Sequence, residues 1–99
     1  MKKDHKLFRF FLNAQDALKN YTPADKHFTS NSEIDYISTI LGLKFMDVEE
    51  MREMRNMVVI YYTHLMENTS RNNPQYDDYM QGMMSVTAVI DHVSHGETA

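Results

Sequence analysis

The stretch DVEEMREMRNMVVIYYTHLMENTSRNNP, residues 47–74, decides the fold. Met51, Met54, Val58, Tyr61 and Leu65 recur at steps of three and four, which is one face of an α-helix. Val48, Val59, Tyr62 and Met66 form a second stripe beside it. From Met57 to Tyr62 the chain is apolar all round, so that portion is expected to be surrounded by protein. Asp47 followed by Glu50 is a capping box, in which each side chain meets the other residue's backbone N–H. The spacing predicts a helix over 47–70. Asn72-Asn73-Pro74 then breaks the pattern, with Asn73 as N-cap and Pro74 in the first helical position.

A second long helix is expected over 74–95. Its stripe is Tyr76, Tyr79, Met83, Val86, Ile90 and Val93. Asp77 and Asp78 in its first turn and His92 and His95 in its last match the helix dipole. So short a link predicts an antiparallel hairpin. Working back towards the N-terminus, Leu7, Phe11, Ala14, Leu18 and Tyr21 predict a helix over about 4–21. Phe8, Phe10 and Leu12 widen its apolar face. Thr22-Pro23-Ala24-Asp25 reads as a single turn. Ser30-Asn31-Ser32-Glu33 is another capping box, opening a helix over 31–42 that carries Ile34, Ile37, Ile40 and Leu41. Gly42 supplies its left-handed end. Each glycine is expected where a helix ends or bends, with Gly96 closing the last. The fold class is therefore all-α, a small bundle of four helices in one domain over 1–99. The stripes on the last two helices are wider than one partner face requires, which predicts self-association through that hairpin.

At 42% hydrophobic residues, the 99-residue chain has enough apolar material for one core and too much for a disordered chain. Its longest wholly apolar run, 57–62, is too short to span a bilayer, so no membrane partner is expected. Arg9 and Asn13 interrupt the stretch after Lys2-Lys3, which argues against a secretory leader. There is no cysteine, hence no disulfide framework, thiolate metal site or thiol nucleophile, and a cytoplasmic location fits best. The net charge of −4 is uneven. Through Asn20, Lys2, Lys3, Lys6, Arg9 and Lys19 outnumber Asp4 and Asp16 by three, so the remainder carries −7. An acidic surface repels phosphates, which argues against unspecific nucleic-acid binding.

Three patterns bear on chemistry. His64 and Glu67 share one helical face, as do His92 and His95. In a hairpin turning near Asn72, His64 lies level with Met80 and His92 with Arg52, ~18 Å apart at ~1.5 Å per residue. Neither pair alone makes a metal site, which needs three or four ligands. Glu49-Glu50-x-x-Glu53 resembles half of the Mg²⁺ site of the all-helical nucleotide pyrophosphohydrolases. That resemblance covers five residues and implies a second motif, Glu-x-x-Asp, which is absent: Glu67 is followed at that spacing by Ser70. No cofactor, metal or catalytic residue is assigned. Ile37-Ser38-Thr39-Ile40-Leu41-Gly42-Leu43 followed by Val48 resembles a helix-turn-helix over about a dozen residues. Ser38 would let two helices approach, Gly42 would make the turn, and Leu43 and Val48 would plug the joint. The following helix, however, carries Asp47, Glu49, Glu50 and Glu53 against Lys44, Arg52 and Arg55, the wrong balance for phosphate contacts.

Apart from Met1, all eight methionines lie between Met46 and Met84. Methionine adapts to varied partners, and Met46, Met57, Met80 and Met84 fit the buried stripes least well. With Phe8 and Phe10 they are the candidate partner-binding residues. The reading is a non-catalytic helical binding module, an adaptor, inhibitor or regulator, whose partners are another protein and a second copy of itself. The alternative is a helix-turn-helix DNA-binding regulator. Small helical proteins of this kind are frequent among phage and plasmid accessory factors, an association that rests on no residue here. Two outcomes follow. Sub-millimolar Mg²⁺ or Zn²⁺ should leave the melting temperature nearly unchanged, and a rise of many degrees would contradict the ligand count. Gel shifts should show only weak duplex DNA binding that disappears at physiological salt.

Overall fold

The computed structural model describes residues 2–23 and 31–98, with side chains over 6–23 and 31–96. Among the described residues there are four α-helices and no strand: α1 (Lys2–Lys19), α2 (Asn31–Leu41), α3 (Val48–Glu67) and α4 (Pro74–Thr98). A 3-10 turn, Leu43–Phe45, leads from α2 towards α3. The chain is all-helical, and its last two helices are the longest. They form a hairpin in which Arg55, early in α3, pairs with Asp91, late in α4, at 2.9 Å. α3 and α4 share the largest interface. α1 packs on α2 and α3, and α2 also reaches α4.

The helix ends follow short polar side chains. The Asp47 carboxylate accepts from Glu50 N at 2.8 Å and Glu50 Oε1 from Asp47 N at 3.0 Å. Asn73 Oδ1 accepts from Gln75 N at 3.0 Å, leaving Pro74 first in α4. α3 stops at Glu67, three residues short of Ser70. Asn68 Nδ2 donates to the His64 carbonyl and the Thr69 hydroxyl to that of Leu65, each at 2.8 Å. Such side chains offer the backbone an alternative to another helical turn. α1 starts two residues before Asp4 and ends at Lys19 rather than Tyr21, where Asn20 Nδ2 donates to the Asp16 carbonyl at 3.0 Å. α4 runs through Gly96 to Thr98. Among the described residues only Gly42 has a positive φ, so Gly96 does not end the helix. Ala24 and Asp25 of the expected turn and Ser30 of the expected capping box lie outside the described residues.

Leu7, Phe11, Ala14 and Leu18 of α1 meet Ile37 and Leu41 of α2, Met51, Met54, Val58 and Tyr62 of α3, and Tyr79, Val86, Val89 and Ile90 of α4 in one buried cluster. The hairpin stripes are covered within the chain at Met51, Met54, Val58 and Tyr62 of α3 and at Tyr79, Val86 and Ile90 of α4, with α3 flanked by α1 on one side and α4 on the other. Val48, Val59, Tyr61, Leu65, Met66, Tyr76, Met83 and Val93 stay half-buried. The apolar run of α3 is not enclosed all round either. Ile60 is 69% exposed, because it faces outward between the two flanking helices.

Two glycines fit this packing for different reasons. Gly82 lies in the middle of α4, neither at an end nor at a bend. Tyr62 of α3 lies across it, and a Cβ there would stand 3.0 Å from the Tyr62 hydroxyl and 3.2 Å from its ring. That hydroxyl donates to the Leu18 carbonyl at the end of α1 at 2.9 Å. Gly42 has φ 67°, and a Cβ there would collide with the Phe10 ring. Phe10 in turn stacks on Phe45, centroids 6.1 Å apart and planes within 7°. Tyr62→Phe should lower stability by about 1–2 kcal/mol through the lost buried hydrogen bond. Gly42→Ala should cost about 1–3 kcal/mol through left-handed strain and the clash. Adding Phe10→Leu should relieve the clash, so the pair should cost less than the sum of the singles in urea titrations.

Candidate functional site

The side of α1 that meets α3 is built from residues just off the buried stripe. Phe8 follows Leu7 and precedes the Phe11 turn, so it sits about 100° round the helix from Leu7, at the edge of the core. Leu12 lies one turn further along the same edge. On α3, Met57, Ile60, Tyr61 and His64 form the matching edge, displaced from the buried Met54 and Val58. Phe8, Phe11, Met57, Ile60, Tyr61 and His64 line a groove of about 310 Å³. Phe11 and Tyr61 meet edge to face, centroids 5.4 Å apart and planes at 86°. The Tyr61 hydroxyl is directed to the Gln15 carbonyl at 3.3 Å. The imidazole of His64 is then the polar group lining the groove, and its Nε2 lies 3.4 Å from Asn68 Nδ2. Around the groove Phe8 is 52% exposed, Leu12 48% and Ile60 69%. Such a surface accommodates apolar side chains. It brings together no nucleophile, base and oxyanion donor.

The six residues expected to bind a partner do not form one surface. Phe8 and Met57 share the groove. Phe10 lies on the opposite flank of α1, half-buried over Gly42, as part of the fold. Met46 is buried in the core, because it follows the 3-10 turn and points inward with Leu43. Met80 is half-buried on α4, and Met84, one turn later, is exposed; neither lines the groove. Ile60 and Leu12 are added by the structure. Of the basic residues that cluster through Asn20, the Lys2 and Lys3 side chains lie outside the described residues. Lys6 Nζ donates to the Phe45 carbonyl at 2.7 Å, and Arg9 is exposed. Phe45, also exposed, carries Lys44 Nζ over its ring, 5.2 Å from the centroid.

Glu50 is buried and turned back to the Asp47 N–H, so Glu49, Glu50 and Glu53 do not converge. Among the described residues no three of His, Asp and Glu are grouped as metal ligands. His95 lies with Arg52, Arg55, Asp91 and Ser94 around a cavity of about 390 Å³, at the far end of the hairpin from His64. In the helix-turn-helix segment, Gly42 makes the left-handed turn, while Ile37, Leu41 and Leu43 are fully buried and Ser38 and Val48 half-buried. The connection from α2 to α3 nevertheless spans 42–47 with a 3-10 turn inside it, longer than the usual three or four residues.

A polar cluster holds the end of α1 against α2 and α4. The Tyr21 hydroxyl donates to Glu33 Oε2, and Ser85 of α4 acts on the same phenol. Burial, then the hydrogen bond to Glu33 and its negative charge, push the Tyr21 phenol well above the ordinary 10.0, while Ser85 opposes them. Burial, with the neighbouring tyrosines, raises Tyr62 in the same direction, and burial also raises Tyr61. Every buried side-chain N or O among the described residues has a partner.

The described helices contain none long and apolar enough to cross a membrane. No protein-family model, curated protein or solved structure matches the chain.

The tyrosines generate a pH prediction. Their folded pKa values lie above the unfolded 10.0. Their contribution to stability is therefore fully present below pH 10 and is lost as pH rises above it, because the unfolded chain then ionises first. Urea midpoints should be flat with respect to these groups up to that pH and fall beyond it. Tyr62→Phe should make the alkaline fall shallower.

Proposed function

We propose that the chain is a non-catalytic helical binding module that docks protein on its α1–α3 face and acts as an adaptor, inhibitor or regulator. The observation that carries this reading is the groove between α1 and α3, apolar apart from one imidazole and rimmed by exposed Phe8, Leu12 and Ile60. Isolated exposed apolar residues are ordinary on protein surfaces, whereas a contiguous patch around a concavity is a feature of interaction sites. Its aromatic and aliphatic anchors are of the kind that dominate binding energy at protein interfaces.

The DNA-reading alternative draws support from the Gly42 turn alone. The exposed early residues of α3 are Glu49, Arg52, Glu53 and Asn56, and two carboxylates there oppose phosphate contacts.

Ile60→Asp tests the proposal, since it places a charge at the centre of the face without touching the core. Its circular dichroism and melting temperature should stay close to those of the unsubstituted chain, because surface substitutions change stability by only about 0.5 kcal/mol. Protein retained from native extract by the unsubstituted chain, or its own association, should be lost in the variant. Retention unaffected by Ile60→Asp would sink the reading.

A further inference from the structure

The geometry points to a second binding site: the cleft between α3 and α4, at the end of the hairpin away from its turn, takes a small phosphate monoester. Arg52 and Arg55 hold the phosphate, and the organic group rests on Val48 and Ile90. This site is separate from the α1–α3 groove and does not depend on what docks there.

The cleft follows from the helical repeat. Val48, Arg52 and Arg55 stand four and three residues apart, so they share one side of α3. On α4 the pairs Ile90–Ser94 and Asp91–His95, each four apart, form the facing side. The hairpin sets the two sides around a volume of about 390 Å³. Small-molecule sites run to roughly 300–1,000 Å³, so there is room for an organic group as well as an anion. Ile90 is buried and Val48 half-buried, which makes them the apolar floor, while Arg52 and His95 are exposed at the mouth.

The charge of the cleft is opposite to that of the chain. The chain carries −4, yet two arginines against one aspartate leave the lining positive. Asp91 is already matched, since its Oδ1 accepts from Arg55 Nε at 2.9 Å. Arg55 uses one N–H in that bond, and its two terminal nitrogens bond nothing among the described residues. Arg52 has neither an ion pair nor a hydrogen bond among them. The Ser94 hydroxyl donates to the Asp91 carbonyl at 3.1 Å, so the donors that an anion meets are the guanidinium groups. Of the other carboxylates on these turns, Asp47 and Glu50 are occupied in the capping box. Glu49 and Glu53 neighbour Arg52 along α3, but neither lines the cleft.

The chemistry of the donors selects the ligand. A guanidinium presents a planar fork that matches a pair of phosphate oxygens. A phosphate monoester carries about −1.5 to −2 at pH 7, enough to answer both arginines, whereas a single carboxylate brings one charge. A cation would be repelled by both. A bare anion would leave Val48 and Ile90 unused, and a ring or chain on the ester oxygen covers them.

The test is titration calorimetry on the purified full chain in low-salt, phosphate-free buffer, with phenyl phosphate, inorganic phosphate and phenol as probes. Phenyl phosphate should bind at sub-millimolar concentration, inorganic phosphate several-fold more weakly, and phenol not at all. Arg52→Gln should weaken phenyl phosphate by about tenfold or more at an unchanged melting temperature, because Arg52 is exposed and touches no partner. Asp91→Asn should tighten it several-fold by removing the carboxylate from the cleft, an effect that a purely structural Arg55–Asp91 pair would not produce. Ile60→Asp, in the other groove, should bind the probe as the unsubstituted chain does. No binding at millimolar phenyl phosphate, or indifference to Arg52→Gln, would overturn the inference. So would weaker binding in Asp91→Asn, or loss in Ile60→Asp, which would place the ring between α1 and α3. Inorganic phosphate binding as tightly as the monoester would mean an adventitious ion only, and would overturn it too.

Discussion

The Tyr62 hydroxyl on the Leu18 carbonyl is the contact on which the arrangement of helices depends. The final carbonyls of a helix lack intrahelical donors, and burying one without a partner is costly. The Leu18 carbonyl takes the Tyr21 N–H at 3.2 Å, α3 adds a second donor from its own core position, and α4 provides the room by having no side chain at Gly82. A single phenol therefore links three helices: its ring lies between α3 and α4 over Gly82, and its oxygen ties α3 to the end of α1. Tyr61, one residue earlier, also reaches α1 by directing its hydroxyl to the Gln15 carbonyl at 3.3 Å. The consequence for the candidate site is direct, because that turn of Tyr61 away from solvent leaves the groove wall aromatic and apolar.

Much of the fold was legible because it rests on local rules. The stripes of α3 and α4, the Asp47–Glu50 capping box, the Asn73-Pro74 start and the left-handed Gly42 depend on residues a few positions apart, and all occur in the structure. What escaped depends on residues far apart in sequence. Gly82 reads as a bend until Tyr62 is placed over it from twenty residues away. Phe10 reads as a binding residue until Gly42 and Phe45 are brought beneath and beside it. Met46 fits no helical stripe because it lies in the connection after the 3-10 turn, and that connection points inward.

The candidate face was legible only in part, for a related reason. Phe8 and Met57 stood out as residues that fit one buried stripe poorly. Ile60 did not, since in a run apolar on all sides every residue has the same claim to burial. Which of them stays outside is decided by where α1 and α4 lie, and sequence periodicity on α3 alone contains no information about either. The same applies to the width of the hairpin stripes. Part of them is used by α1 and α2, and of the exposed apolar residues Phe8, Leu12 and Ile60 lie along the seam between α1 and α3, while Tyr36, Phe45 and Met84 lie elsewhere.

The long reach of the Tyr62–Leu18 contact also orders events during synthesis. α1 carries Phe8, Phe10 and Phe11, and it leaves the ribosome before any helix it packs on. The residue that anchors its end follows 44 positions later. At ~5–20 residues per second, that interval is several seconds. Through it the most aromatic helix of the chain stands without its core, in a form that chaperones and unfinished neighbouring chains both recognise. The basic residues interspersed along α1 keep that exposed segment charged while it waits.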